Sequence, residues 1–243
     1  MQALWHRLPL LRRLRLLLWS LLWPLLRGVG RVLFFPLCLL PGLLLWPASP
    51  AAAEDFDYYT LAVTLTPAFC DLNPGKRSSV QCRDRKALSL HGLWPEKNAG
   101  RAPASCRGPA LGDFSAADER ELRRVMPDGS FRRYQWEKHG RCSGLEPATY
   151  FRLMVREFND IKWPPALDVR GRDTVMERDV LLKEFRRLNP ALPEKGIVLR
   201  CDSSDRPPLL TEVRLCLSPE GKPGNCVANY RPNCPVALRI RAR

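Results

Sequence analysis

The first 53 residues contain no aspartate or glutamate, although the chain of 243 residues has 25 acidic side chains in all. This leading segment instead has six arginines, long leucine-rich runs and small residues at 51–53. A basic start, an apolar stretch and a small-residue end are typical of a secretory signal peptide. An uncleaved membrane anchor would need about 20 apolar residues, whereas the apolar stretch at 32–46 is short and interrupted by prolines. We therefore expect a cleaved signal peptide over residues 1–53.

Without that segment, positive charge dominates residues 54–243. Removing its six arginines lowers the number of basic residues from 39 to 33, so against 25 acidic residues the formal net charge is +8. Such a charge favours a polyanionic partner through attraction that is independent of sequence and weakened by salt. Many exported proteins are basic without binding nucleic acid, so charge alone does not identify the partner. The length is enough for one domain with a substantial core, and no internal repeat or linker is present.

Cysteine pairs of the form C-x-x-C are absent, which argues against a zinc site. Removing residues 1–53 also removes Cys38, so nine cysteines become eight. An even number in an exported chain indicates a framework of disulfides. We therefore expect bridged cysteines and neither a metal nor a cofactor. The eight cysteines are Cys70, Cys82, Cys106, Cys142, Cys201, Cys216, Cys226 and Cys234.

Hydrophobic patterning predicts a mixture of strands and helices. Alternate residues from Tyr59 to Leu65 are apolar, as expected of a strand with one buried face. Ser115-x-x-Asp118 is typical of a capping box that opens a helix. One α+β domain follows from the order of the elements. Strands are predicted at 56–67, 87–93, 197–201 and 209–217, and loops at 71–81 and 98–113. Helices are predicted at 115–126, 147–161 and 174–188, and residues 131–142 have a helical composition that halts at Gly140.

Histidine is scarce: the chain has three, and only His91 and His139 lie beyond the signal segment. Histidine is the side chain whose ordinary pKa lets it both accept and donate a proton near neutral pH. A lone histidine is more often a packed or surface residue than a catalytic one, so their number alone makes these two only candidates. Each lies in a dense local motif: Leu90-His91-Gly92-Leu93-Trp94-Pro95, and Gln135-Trp136-Glu137-Lys138-His139-Gly140-Arg141-Cys142.

These two segments resemble the active-site motifs of the ribonuclease T2 family, in the family's order and about fifty residues apart. The resemblance extends over about residues 56–234 and includes the segment at 210–216. It implies a central, mainly antiparallel sheet flanked by helices and stapled by disulfides. It also implies metal-independent endonucleolytic cleavage of single-stranded RNA through a 2′,3′-cyclic phosphate, without cleavage of DNA.

The resemblance also implies a role for residues near the two histidines. His139 would act as the general base and His91 as the general acid, with Lys138 as the cation that stabilises charge on the phosphate. For Trp94, packing that fixes the His91 loop is favoured over base stacking, whereas for Trp136 the two interpretations are equally supported. Four residues would lie around the substrate: Trp94, Tyr134, Gln135 and Trp136.

One departure from the family's pattern concerns the second motif, which often reads H-E-W-x-K-H-G. Tyr134 and Gln135 stand at its first two positions here. Gln135 cannot carry the charge of a glutamate, although its amide can hydrogen-bond, and on a helix it shares a face with His139. Glu137 is two residues from His139 and should point elsewhere. We therefore expect the type of reaction to be retained and the missing charge to affect its rate.

The family's core disulfide corresponds to Cys106–Cys142, which would tie the second motif to the loop after the first. We further expect the pairs Cys70–Cys82, Cys201–Cys234 and Cys216–Cys226. Eight cysteines allow many other pairings, so the sequence alone leaves the connectivity open.

Two other functions fit parts of this pattern. A T2-like scaffold could bind RNA or a protein partner with weak or no catalysis, but binding alone would not need both histidines and Lys138. A basic, disulfide-rich module unrelated to the family would make both motifs coincidental. The favoured hypothesis is a periplasmic or extracellular ribonuclease that acts as a monomer, without membrane attachment once residues 1–53 are removed.

Overall fold

The computed structural model describes residues 55–227 and 232–243, so the expected signal peptide lies outside the described residues. Within these ranges no helix has the length and apolar character needed to cross a membrane. The elements in chain order are β1 (Tyr58–Leu65), α1 (Thr66–Leu72), α2 (Val80–Arg83), β2 (Leu88–Glu96), α3 (Ala116–Val125), α4 (Gly129–Lys138), α5 (Pro147–Asp160), β3 (Thr174–Glu177), α6 (Arg178–Leu188), β4 (Ile197–Asp202), β5 (Leu209–Leu217) and β6 (Ala237–Ile240).

The described strands form one sheet in the order β2-β1-β5-β6-β3, and β4 also pairs with β5. The β1–β2, β1–β5, β4–β5 and β3–β6 pairs are antiparallel, whereas β5 and β6 make a short parallel contact. Helices α1, α3 and α5 pack against β1, β2 or β5. The predicted α+β class, with a mainly antiparallel sheet flanked by helices, is therefore confirmed.

Strand β1 is buried on both faces: the face predicted to be buried is buried, and so is the other one. Tyr59, Leu61 and Val63 lie in the hydrophobic core. On the other face, Thr60 and Ala62 are equally inaccessible to solvent. β1 lies between β2 and β5 in the sheet. That second face carries the candidate site.

Two chain segments differ from the predicted elements. Residues 174–188 were predicted as one helix, but 174–177 form strand β3 because they pair with β6, which the sequence patterning missed. The predicted strand at 56–67 ends at Leu65, and Pro67 lies in the first turn of α1, where its missing N–H has no cost. Helices α1 and α2 therefore occupy only the two ends of the predicted loop at 71–81, residues 71–72 and 80–81.

Helices α3 and α5 form where the sequence predicts them. The Ser115 hydroxyl caps α3 by accepting a hydrogen bond from the backbone N–H of Asp118 at 3.1 Å. The apolar stripe of α5 lies in the core, as expected, and the Tyr150 hydroxyl donates to the backbone oxygen of Leu93 on β2 at 2.5 Å. The stripe comprises Tyr150, Phe151, Met154, Val155 and Phe158.

Helix α4 begins and ends two residues earlier than the predicted helix, which starts at Phe131 and halts at Gly140. It begins at Gly129, because the Asp128 carboxylate accepts hydrogen bonds from the first backbone N–H groups and caps the helix. It ends at Lys138, and a 3-10 turn over Gly140–Ser143 follows. His139 therefore lies at the junction between two helical segments rather than inside one.

The described cysteines form four disulfides, and their pairing matches the one expected. The Cα atoms of each pair are 5.0–5.8 Å apart. The second bridge fixes the loop before α3 to the 3-10 turn that follows His139. The pairs are Cys70–Cys82, Cys106–Cys142, Cys201–Cys234 and Cys216–Cys226.

We expect Gly140→Ala to destabilise the fold. An added Cβ would lie 2.2 Å from Cε3 of the buried Trp136 ring and 3.1 Å from Cε1 of Tyr150. Overpacking of this kind costs about 1–3 kcal/mol, measured as a lower urea midpoint of unfolding. Gly75→Ala is the matched control, because nothing lies within 4 Å of its added Cβ. Equal midpoints for the two variants would contradict this account of Gly140.

Candidate active site

His91 occupies a β-bulge in the edge strand β2. Ala62 of β1 pairs with Gly92, and Val63 pairs with Leu90, so His91 is the extra residue between two regular pairs. A bulge of this kind redirects a side chain and is common next to functional sites. His91 therefore lies within the strand predicted at 87–93, which extends to Glu96, and a bulge in that strand positions its ring.

The His91 ring reaches across β1 to strand β5. Its Nδ1 lies 2.5 Å from Oε2 of Glu212, which is 7% exposed. The guanidinium of Arg214 donates to the other carboxylate oxygen of Glu212. Glu212 and Arg214 are two residues apart on one strand, so their side chains share a face. Ala62 stands opposite both Gly92 and Arg214, which leaves only small side chains between His91 and β5.

Glu212 is ionised despite its burial. Desolvation by itself would raise the pKa of its carboxyl group, but the hydrogen bond with His91 and the positive charge of Arg214 outweigh it and hold that pKa below its ordinary value. A buried anion with fewer partners would be expensive. Both carboxylate oxygens are engaged, so the site contains a fixed negative charge beside His91.

His139 lies at the carboxyl end of α4, and its imidazole is largely buried. Its backbone N–H donates to the carbonyl of Gln135 at 2.9 Å, which anchors it to the last turn of the helix. Burial of the imidazole, and then the charges of Lys138 and His91, lower its pKa from 6.5 to about 4. At neutral pH the His139 ring is therefore uncharged and able to accept a proton.

The Trp94 ring contacts the rings of both histidines. Its ring centroid is 4.9 Å from that of His91 in an edge-on arrangement and 5.4 Å from that of His139. Its Nε1–H donates to Oε1 of Gln135 at 2.9 Å, and the Arg214 guanidinium lies 5.0 Å from its ring centroid. Trp94 thus packs among site residues from β2, β5 and α4, and the two sequence motifs meet around it.

Two residues expected at the substrate are buried instead. Gln135 is 1% exposed and accepts the hydrogen bond from Trp94, so it orients that indole and has no free path to a ligand. Trp136 is 0% exposed, and its Nε1–H donates to the carbonyl of Pro109 at 2.9 Å. Both side chains therefore pack inside the protein, beneath the site. Glu137 points elsewhere, as expected, with an exposed side chain 3.8 Å from Arg141.

Tyr134 and Lys138 form a pair one helical turn apart at the surface of α4. The ammonium group of Lys138 donates to the Tyr134 hydroxyl at 2.9 Å and lies 5.3 Å from its ring centroid. Tyr134 is 48% exposed, so both its ring and the neighbouring cation can meet a ligand. The ring of Phe131 stacks against that of Tyr134 and lies 5.6 Å from that of His91.

Sequence reasoning missed Glu212, Arg214 and Phe131 as members of the site. A signal was present for the first two, because a glutamate and an arginine two residues apart interrupt an otherwise apolar strand. Phe131 gave no such signal, since an aromatic residue on a helix is usually a core residue. Within the described ranges, no group of three or more His, Cys, Asp or Glu side chains is arranged to hold a metal ion.

Comparison with known proteins relates this arrangement to one family. The model of the ribonuclease T2 family matches residues 56–226. A ribonuclease of Aeromonas hydrophila is 38% identical over 101 residues, which cover 42% of this chain and 44% of the relative. A probable ribonuclease of Haemophilus influenzae is 29% identical over 190 residues, covering 72% of this chain and 62% of the relative. The chain thus spans about half the length of these curated relatives.

The fold is also similar to that of a solved structure. Ribonuclease MC1 from the seeds of bitter gourd superposes with a TM-score of 0.61 at 23% sequence identity. The match covers 75% of this chain and 99% of that one. It supports the α+β arrangement described above.

The titration of His139 tests the electrostatics of the site. We expect its imidazole to titrate at a pH of about 4, measured from the Cε1–H resonance in NMR spectra and assigned with His139→Gln. Lys138→Gln should raise this midpoint only part of the way toward 6.5, because burial remains the largest cause. Lys183→Gln, an exposed change on α6, should leave it unchanged. A wild-type midpoint near 6.5 would contradict this description.

Proposed function

This chain belongs to the ribonuclease T2 family, and from that premise we propose that it is an exported endoribonuclease that cleaves single-stranded RNA without a metal. The observation that carries the proposal is the position of Trp94, whose ring contacts those of both His91 and His139. A phosphodiester group bound beside Trp94 would therefore lie near both imidazoles. Acid–base chemistry at such a group needs one proton acceptor and one proton donor.

In the proposed reaction the substrate supplies its own nucleophile. A base removes the proton of the ribose 2′-hydroxyl, and the 2′-oxygen attacks the adjacent phosphorus. The bond from phosphorus to the 5′-oxygen of the next nucleotide breaks, and an acid protonates that oxygen. The products are a 2′,3′-cyclic phosphate and a free 5′-hydroxyl. Water can then open the cyclic phosphate to a 3′-phosphate, with the two groups in exchanged roles.

The two histidines differ in the way that this reaction needs. His139 has its pKa lowered to about 4 and is neutral at pH 7, which supports its role as the base. His91 contacts the carboxylate of Glu212, and an adjacent anion favours the protonated imidazole. This arrangement supports His91 as the acid.

Lys138 is the proposed cation for the phosphate. Negative charge on the non-bridging oxygens grows toward the transition state, and a fixed cation lowers its energy. Gln135 cannot assist because it is buried and engaged with Trp94. The site therefore works with a single ammonium group where a family member with glutamate has a further charged group, and the expected effect is on rate rather than on the type of reaction.

The proposed location is the periplasm or the exterior of the cell. Four disulfides require an oxidising compartment, and the signal peptide expected at residues 1–53 would deliver the chain there. The net charge of +8 expected after its removal would attract the RNA backbone in a salt-dependent manner. We propose that the protein acts as a monomer and that it has no membrane attachment after processing.

We expect the purified, oxidised protein to cleave single-stranded RNA in the presence of EDTA and to leave a matched DNA strand intact. The reason is that the nucleophile is the 2′-hydroxyl, which DNA lacks. Mass spectrometry of the fragments should find 2′,3′-cyclic phosphate ends. A requirement for a divalent metal, or equal cleavage of the 2′-deoxy strand, would contradict the mechanism.

The two histidines provide the internal controls. His91→Ala and His139→Ala should each reduce cleavage by about 10²–10⁴-fold while RNA binding persists, whereas Lys183→Ala on the exposed side of α6 should retain full activity. Near-normal turnover in either histidine variant would refute the assigned roles. RNA binding by a wild-type protein that never cleaves would favour a binding scaffold instead.

A further inference from the structure

We propose that Glu212, held in place by Arg214, is a positioning residue that orients His91 and keeps it protonated until the leaving oxygen takes its proton. This inference rests on the proposed function and adds a component from β5, which neither histidine motif contains. It predicts that the alkaline limit of activity depends on a carboxylate about 120 residues away in the sequence.

The geometry fixes which ring nitrogen can act. Nδ1 of His91 is 2.5 Å from Oε2 of Glu212, so Nε2 is the nitrogen left to face a substrate. The rings of Trp94 and Phe131 lie against the same imidazole at centroid distances of 4.9 and 5.6 Å. The side chain of His91 remains 35% exposed, and its contacts hold one edge while leaving the other open.

The charges around His91 oppose one another. Glu212 and Arg214 face it from β5, and His139, with Lys138 beside it, faces it from the end of α4. Lys138 and Arg214 are cations, and protonated His139 would be a third, so each disfavours a charged His91. Glu212 supplies the negative charge that opposes them at short range, where interactions are strong because water is excluded.

Arg214 has two effects that can be separated. Its guanidinium donates to Oε1 of Glu212, which fixes the carboxylate and leaves Oε2 for His91. Its positive charge also offsets part of the field that Glu212 exerts on the imidazole. Removing Glu212 and removing Arg214 should therefore change the protonation of His91 in opposite directions. A purely structural role for this pair predicts no such opposition.

The test is the pH dependence of kcat/KM on a fluorescent single-stranded oligoribonucleotide. For Glu212→Gln we expect the alkaline limb to move toward acid by about one pH unit or more, with kcat reduced about 10–100-fold and little change in KM. For Arg214→Gln the alkaline limb should move to higher pH. Glu212→Asp keeps the charge on a shorter side chain and should retain the wild-type limb with a lower kcat.

Glu157→Gln is the matched control, because Glu157 is also a buried carboxylate paired with an arginine, Arg156, but lies on α5 without a histidine contact. Its profile should superimpose on that of the wild type. An alkaline limb that does not move in Glu212→Gln, or that moves the same way in Arg214→Gln, would overturn the inference. If Glu212→Gln does not fold by circular dichroism, the Arg214→Gln shift decides the question alone. An inactive wild type would refute the proposed function instead.

Discussion

The contact between the His91 imidazole and the Glu212 carboxylate joins strands β2 and β5 across β1. It depends on the bulge that turns His91 out of the regular pairing. It also depends on the small side chain of Ala62 in β1, the strand between β2 and β5. Arg214 completes it by binding the second carboxylate oxygen. The sheet thus holds an ionised carboxylate beside the histidine that is proposed as the proton donor.

The other histidine depends on how helix α4 ends. Gly140 lets the chain pass close to the Trp136 ring, and the Cys106–Cys142 bridge fixes the turn that follows. His139 is held at that point in a partly buried position, which keeps it neutral. These surroundings give His139 the neutral form that a proton acceptor needs.

Local sequence predicted the parts of the molecule that local chemistry decides. The cap of α3, the apolar stripe of α5 and the two histidine motifs each need only neighbouring residues. Glu212 was missed because its importance arises from strand pairing, which brings together residues far apart in the chain. Gln135 was expected at the substrate because it stands at the family's glutamate position, one helical turn before His139. For Trp136, packing and base stacking were equally supported. Both side chains face the protein interior, which depends on tertiary packing that the local motif does not show.

A crystal structure with a bound 2′-deoxy dinucleotide, which cannot be cleaved, would show how both histidines and Glu212 meet the substrate. We expect Nε2 of His91 to lie within hydrogen-bonding distance of the 5′-oxygen while Nδ1 remains hydrogen-bonded to Glu212. We also expect a nitrogen of His139 to face the ribose C2′ and the Lys138 ammonium to contact a phosphate oxygen. A phosphate bound away from both imidazoles, or a His91 ring detached from Glu212 in the complex, would contradict this account.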